Sequence, residues 1–318
     1  MVYTAFLDVI RQMVQTRLGS THKVQLSQFS KNNGLVLDGL SILPAGGHLA
    51  PTIYLNPYYA LYLKDMTLEE IVDDILSIVS DGSCLPHIEA GIMSDFSLVR
   101  SKVAFKLINT ASNTELLSDL PHFPYLDLSI VFYLFLEKND SGQMTALIHN
   151  DHLKLWRLSE EELYQTAMEN APRLLPSTLK TMREVMSEIA VNQLGEDYYD
   201  ELAGSFDEDS PLSPLYVLTN RTGLYGAGAM LYPNILKNFA DRMGQDLVIL
   251  PSSIHEVLLL PYDETVDFDS LNDMVVSINR SEVPSEDQLS NQIYFYNRSD
   301  NQITQITNSS VPVGTKNP

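Results

Sequence analysis

Cysteines, basic residues and long apolar runs are all scarce in this sequence, and each shortage excludes a class of protein. Cys84 is the single cysteine among 318 residues, which excludes an intrachain disulfide and a cysteine-based zinc site. The longest near-continuous apolar run, 126–136, is shorter than the ~20 residues of a membrane-spanning helix. Asp8 and Arg11 interrupt the first apolar stretch, which lacks the basic leader of a secretion signal. These features predict a cytoplasmic protein without membrane attachment.

The charge balance is strongly acidic. The chain has 20 lysines and arginines against 41 acidic residues, a formal net charge of -21. Binding to nucleic-acid phosphates or to anionic lipid requires an excess of basic side chains, so neither is expected here. An acidic surface keeps protein chains apart in solution, and the same surface suits a basic protein partner. The sequence motifs call for no cofactor.

Apolar periodicity and turn residues predict a mixture of helices and strands. Residues 3–18 have helical spacing, and Thr67 and Ser159 each begin a capping box. Asn33-Gly34 between two alternating runs predicts a β-hairpin. Further helices are predicted at 95–109, 178–194, 233–243 and 267–279, and further strands at 51–56, 126–137, 144–150, 215–220, 226–232, 246–251 and 254–261, with a final strand and turn over 292–304. The fold class expected is α+β, with antiparallel sheets and helices packed against them.

Length and composition predict two regions. We expect an N-terminal α+β region over residues 1–112 and a C-terminal α+β region over residues 113–300. Residues 195–213 have seven acids and no base among glycine, serine and proline, which is typical of a solvated loop. The polar residues 301–318 are expected to form a flexible tail.

The stretch "ILPSSIHEVLLLP" places two serines and a histidine between apolar runs. We refer to its residues 251–256 as the serine–histidine tract. So short a connection joins antiparallel strands, because a parallel crossover needs a dozen or more residues. Ser253 and His255 lie two residues apart, but the sequence has no Gly-x-Ser-x-Gly nucleophile elbow. A hairpin bend is therefore predicted, with a catalytic serine, or a groove rim formed by Ser252, Ser253 and His255, as alternatives.

A glycine cluster gives a second candidate site. Gly223, Gly226 and Gly228 lie between an expected strand and a later helix, where backbone amides are able to hold phosphate. Their spacing is not that of a dinucleotide-binding loop, so close packing of small residues is the simpler interpretation. Asn220 and Arg221 precede the cluster and are included as candidate binding residues.

His149 and His152 form the densest group of metal-ligand types. Two imidazoles near a carboxylate suit a transition metal, but the sequence does not locate a third ligand. The alternative is a helix start capped by Asn150 or Asp151. Metal binding is accordingly not predicted, and the two histidines are kept only as weak candidates.

Several stretches carry a resemblance to a known family. They include "KNNGLVLDGL", "PHFPYLDLSIVFY", "ALIHNDHLKLW" and "GAGAMLYPNILKNFADRMGQDLVILPSSIHEVLLLP". The chain resembles the bacterial domain-of-unknown-function family five-six-eight-eight, which is found in clostridia and relatives and on mobile elements. Its later half is also similar to the YtpQ-like family. The resemblance implies no activity, and it provides no catalytic residue to transfer to this sequence.

Two hypotheses of function remain. The first is a non-enzymatic binding or accessory protein, because the sequence contains neither a nucleophile elbow nor a phosphate loop. The second is an enzyme, either a hydrolase or a nucleotide binder, with a site near residues 220–228 and 251–256. The enzyme hypothesis requires these two segments to lie close together in the folded chain.

Overall fold

The computed structural model describes residues 1–45, 52–80, 92–139, 142–194 and 215–306. The chain divides into two compact units. Unit 1 consists of Met1–Val99 with Phe135–Ala146, and unit 2 of Arg100–Leu134 with Leu147–Pro318. The acidic loop predicted at 195–213 lies outside the described residues. The division into 1–112 and 113–300 stays a prediction.

Unit 1 is built on a three-stranded antiparallel sheet. Asn33 and Gly34 have positive φ angles of 58° and 71° and reverse the chain between the first two strands, as the sequence predicts. The strand order is β1-β2-β3, and buried side chains of α1 and α3 form one core with the sheet. The elements are α1 (Tyr3–Leu18), β1 (His22–Ser30), β2 (Val36–Pro44), β3 (Thr52–Tyr54), α2 (Asn56–Tyr62), α3 (Leu68–Ser80) and α4 (Phe96–Val99).

A second sheet has the order β4-β6-β5, with β7 paired to β6. Strand β4 lies at one edge of this order, and α7 packs against it. The Ser159 side chain accepts a hydrogen bond from the Glu162 amide, which confirms the predicted capping box at the start of α7. The elements are β4 (Val103–Asn109), α5 (Thr114–Leu117), β5 (His122–Tyr125), β6 (Leu128–Asn139), β7 (Gly142–Leu147), α6 (Asn150–Trp156) and α7 (Glu160–Leu174).

The third sheet has six strands in the order β13-β12-β10-β11-β9-β8, and every neighbouring pair is antiparallel. Helix α10 packs its apolar face on β10, β11 and β12, forming the core around Val248, Phe268 and Phe295. The elements are β8 (Ser177–Thr181), α8 (Met182–Leu194), β9 (Tyr216–Asn220), α9 (Ile235–Met243), β10 (Leu247–Leu250), β11 (Val257–Pro261), α10 (Phe268–Ser281), β12 (Tyr294–Asn297) and β13 (Gln302–Gln305).

The α+β class is confirmed, since antiparallel sheets carry helices in both units. The predicted pairing of the strands on either side of the serine–histidine tract is also confirmed, because β10 and β11 are antiparallel with Leu250 opposite Leu258. Strand β11 begins at Val257 and not at the predicted Ile254. The backbone of Ile254 and His255 is hydrogen-bonded outside the β10–β11 ladder, to Asp287, Ala227 and Thr219.

Three element predictions are wrong, each for a local reason. The helix predicted at 95–109 is the short α4 followed by strand β4, in which six consecutive residues are buried, so that no alternation marks the strand. The helix predicted at 178–194 begins only at Met182, after the edge strand β8. The strand predicted at 226–232 is a 3-10 helix, Gly226–Leu231, called here the small-residue helix.

The end of the described chain is more ordered than the predicted tail. Strand β13 pairs with β12 inside the range 301–318, and residues 307–318 lie outside the described residues. Across the ranges that the structure describes, no helix combines the length and apolarity needed to cross a bilayer.

Candidate functional site

The serine–histidine tract and the residues that follow β9 meet in unit 2. The Thr219 hydroxyl donates to the His255 carbonyl oxygen at 2.7 Å, and the Ala227 amide donates to the Ile254 carbonyl oxygen at 3.2 Å. On its other side the tract is bonded to residues 287–290: the Ile254 amide donates to the Asp287 carbonyl oxygen at 2.8 Å. The two segments that the enzyme hypothesis requires together are therefore in contact.

Gly226 allows the serine–histidine tract and the end of β9 to approach closely, because it has no side chain. A Cβ atom at this position would lie 2.7 Å from the Asn220 amide nitrogen, and still closer to the Thr219 hydroxyl and the His255 carbonyl oxygen. Two of these three neighbours are backbone atoms, which move only with their strands. The small-residue helix begins here and contacts β4, β9 and β11. Gly226 thus fixes the spacing between the tract and the end of β9.

Both ring nitrogens of His255 have protein partners. Nε2 lies 3.1 Å from a carboxylate oxygen of Asp287. Nδ1 lies 3.3 Å from the Tyr225 amide nitrogen and 3.2 Å from the Gly223 carbonyl oxygen. In the neutral ring, Nε2–H donates to Asp287 and Nδ1 accepts from the Tyr225 amide; in the imidazolium, Nδ1–H donates to Gly223. The ring also stacks on Tyr225, with 9° between the planes.

The serines do not form a nucleophile–base pair with His255. The Ser253 hydroxyl oxygen accepts a hydrogen bond from the His255 backbone amide at 3.0 Å, and Ser253 is buried. Its backbone forms an isolated bridge with Gln288. The Ser252 carbonyl oxygen accepts from the Leu289 amide at 3.1 Å. The contacts of the two serines hold the tract against residues 288–290.

Asn220 and Arg221 differ in their environment. The buried Asn220 side chain accepts from the Thr222 amide and hydroxyl at 2.9 and 2.8 Å and donates to the Leu224 carbonyl oxygen at 2.7 Å. These bonds shape the turn that leads into the small-residue helix, and they occupy both ends of the amide. Arg221 is exposed, and its backbone amide donates to the Pro176 carbonyl oxygen.

Glu256 is the next residue after His255 and is half-buried. Burial raises the pKa of its carboxyl above the usual range; the neighbouring His255 lowers it in part, and Asp287 raises it further. A carboxyl group in this setting holds its proton to a higher pH than an exposed glutamate does. Elevated carboxyl pKa values are common at functional sites.

Three further residues lie beside this cluster and were not predicted from the sequence: Lys106, Tyr133 and Tyr225. Lys106 lies in β4 and is only 7% exposed, and its Nζ lies 4.2 Å from the centroid of the Tyr225 ring. The ring of Tyr133 packs edge-on against the same Tyr225 ring at 5.2 Å between centroids. A lysine inside the apolar run "VAFKLIN" was the signal available in the sequence. The wrong helix prediction for 95–109 concealed it.

The structure brings His149 and His152 near one another, with 5.7 Å between ring centroids. His149 Nδ1 lies 2.7 Å from Asp119, and His152 Nδ1 accepts from the His149 amide at 2.9 Å. His149, and not Asn150 or Asp151, is therefore the N-cap of α6. Burial, with a smaller effect of His149, lowers the pKa of His152.

The contacts of this histidine pair are those of a helix start. Asp151 instead pairs with Lys154 at 2.7 Å, and Asn150 donates to the Ser118 carbonyl oxygen at 3.3 Å. Within the described ranges, no group of three histidine, cysteine or acidic side chains has a metal-binding arrangement.

Comparison with known proteins places the chain in a family. The model of the Family of unknown function (DUF5688) matches residues 3–298. The chain belongs to this family. No curated protein and no solved structure matches it. The predicted resemblance to the domain-of-unknown-function family is confirmed, whereas the similarity to the YtpQ-like family and the clostridial source stay predictions.

We predict that Gly226→Ala destabilises the protein by about 3 kcal/mol, since the new methyl group overlaps two backbone atoms and one hydroxyl. Gly228→Ala is the matched control. Its Cβ would meet the Phe105 side chain at 3.1 Å, so a loss of about 1 kcal/mol is expected. Urea unfolding of the three proteins gives the comparison. Equal losses for the two variants would contradict the role assigned to Gly226.

We predict that Glu256→Gln stabilises the protein at pH 7.5 but not at pH 4. Because burial raises the pKa of Glu256, the folded state retains a proton that the unfolded chain releases above about pH 4.3. Stability contributed by the protonated carboxyl is present below that pH and is lost as the pH rises through the raised pKa. Glutamine does not titrate and avoids this loss.

Urea midpoints at the two pH values test this prediction. The exposed Glu169 in α7 serves as control, and Glu169→Gln is expected to change the midpoint little at either pH. A Glu256→Gln variant that is less stable than wild type at pH 7.5 would show that the ionised carboxyl stabilises the fold.

Proposed function

We propose that this protein acts by binding and not by catalysis, as a cytoplasmic accessory protein for a basic protein partner. The observation that carries the proposal is the engagement of His255. Its two ring nitrogens contact the Asp287 carboxylate and the backbone at Gly223 and Tyr225. A general base needs a free nitrogen directed at the nucleophile, and the Ser253 oxygen instead accepts from the His255 backbone amide.

The charge of the chain supports the choice of partner. The net charge of -21 repels nucleic acid and anionic lipid and attracts a basic protein surface, especially at low ionic strength. A cytoplasmic setting agrees with a single cysteine, since secreted domains commonly rely on disulfides. Electrostatic attraction of this kind increases the rate of encounter and is weakened by salt.

One arrangement favours the enzyme alternative. His255 and Asp287 form a histidine–carboxylate pair, and Glu256 with its raised pKa follows directly in the chain. Such a group has the composition of an acid–base site, at the place where segments 220–228 and 251–256 meet. In a hydrolase of this type, Ser253 would turn its hydroxyl toward the His255 ring. Chemical labelling distinguishes the two functions.

We predict that a fluorophosphonate probe does not label Ser253, because its buried hydroxyl accepts from a backbone amide and lacks a base. Mass mapping of labelled peptides gives the measurement, and an active serine hydrolase is the positive control. Ser253→Ala should leave the labelling pattern unchanged. Labelling of Ser253 that disappears in His255→Gln would establish the enzyme alternative.

We also predict a salt-sensitive complex with a basic protein. The full chain, immobilised in native lysate at about 50 mM salt, should retain a basic partner that about 500 mM salt releases, because the Debye length falls several-fold over this range. An unrelated protein of matched negative charge on the same resin controls for unspecific attraction. Retention of the same proteins by that control, or elution of the chain alone as a monomer at low salt, contradicts a specific partner.

A further inference from the structure

We propose that Lys106, Tyr133 and Tyr225 form a binding site for a small organic monocarboxylate in unit 2. Lys106 is the only charged group of the three, and it is 7% exposed on strand β4. Among the described residues, no carboxylate lies within ion-pair distance of its ammonium, which contacts the ring of Tyr225. The site goes beyond the proposed function.

The contacts of Lys106 do not fully offset the free energy that its ammonium group loses on leaving water. A cation over a tyrosine ring gains less free energy than an ammonium loses when it is removed from water. The contact with Tyr225 therefore offsets only part of the cost. A bound carboxylate supplies the missing negative charge and converts a costly buried ion into a paired one.

Tyr133 adds a buried hydroxyl to the same face of the sheet and contacts the same Tyr225 ring. Lys106 lies opposite Val131 and Ala104 opposite Tyr133, so Lys106 and Tyr133 are diagonal neighbours on one face of the β4–β6 pair. Tyr133 is 1% exposed, and its hydroxyl has no hydrogen-bond partner among the described residues. Burial, with smaller effects of Tyr232 and Tyr225, raises the pKa of Tyr133 and keeps this hydroxyl a donor.

Tyr225 covers these two groups in a strained conformation. Its φ of 55° lies in the left-handed region, where a bulky residue is rare and strained. The surrounding contacts hold it there: its amide donates to His255 Nδ1, its ring stacks on His255, and Gly226 follows it. The Tyr225 ring is half-buried and Lys106 is only 7% exposed, so the ring covers most of the approach to the ammonium and moves aside when a ligand binds.

The composition of the site selects the ligand class. One ammonium matches one negative charge, and one phenol hydroxyl matches one further acceptor oxygen, which is the pattern of a carboxylate. A phosphate dianion would bring a second charge without a second cation. Because the Tyr133 and Tyr225 rings contact each other, an apolar group next to the carboxylate would pack on Tyr133 once Tyr225 has moved.

Thermal unfolding of the full chain tests the site. Sodium acetate and sodium benzoate are compared with sodium chloride at equal ionic strength and fixed pH near neutrality. At saturation we expect a Tm increase of about 5 °C with at least one of the two carboxylates. The increase should disappear in Lys106→Met. It should persist in Lys154→Met, which removes a lysine whose side chain is 76% exposed.

Tyr133→Phe provides a second variant that keeps the proposal falsifiable if Lys106→Met does not fold. It deletes only a hydroxyl without a protein partner, so folding is expected, and carboxylate affinity should fall about 3–10-fold. Affinity unchanged in Tyr133→Phe, or an equal Tm increase in Lys106→Met, overturns the site. So does the absence of any increase in wild type. A larger increase with inorganic phosphate than with either carboxylate overturns the ligand class.

Discussion

The close approach of three backbone segments at Gly226 is the constraint on which the rest of the site depends. The Thr219 and Asn220 end of β9, the carbonyl oxygen of His255 and the start of the small-residue helix meet where a methyl group has no room. Because β9 and β11 are paired beside this point, the contact extends the sheet into the loops that leave it. The orientations of His255 and Tyr225 follow from this contact, since both residues adjoin it.

Polar residues that are hydrogen-bonded within the protein have structural roles, whereas buried polar residues without such bonds are the better candidates for ligand binding. Asn220, Ser253 and His255 have protein partners for the groups that a ligand or substrate would need. Lys106 and the Tyr133 hydroxyl are more deeply buried than His255 and lack comparable partners. A buried polar group without a partner costs free energy, and a bound ligand is one reason to retain it. Ser253 and His255, which most suggest catalysis in the sequence, therefore stabilise the loops through their hydrogen bonds.

Local signals predicted the parts of the fold that local chemistry controls. Asn33-Gly34 adopts the positive φ angles that a tight reversal needs, and Ser159 caps its helix through its own side chain. The short link before Val257 admits only an antiparallel pair, and β10 and β11 form one. Strand β4 was misjudged because neighbours bury both of its faces, a condition that removes the alternation by which strands are recognised.

The sequence by itself determined the α+β class, the hairpin at Asn33, the capped helices and the turn around the serine–histidine tract, because each depends on residues within a few positions of one another. Only the tertiary structure decided that His255 binds Asp287 rather than a serine, and that Lys106 lies beneath Tyr225. Those partners are separated by 32 and 119 positions along the chain. Long-range pairing of this kind depends on strand order and on which faces become buried, and neither leaves a periodic pattern in the sequence.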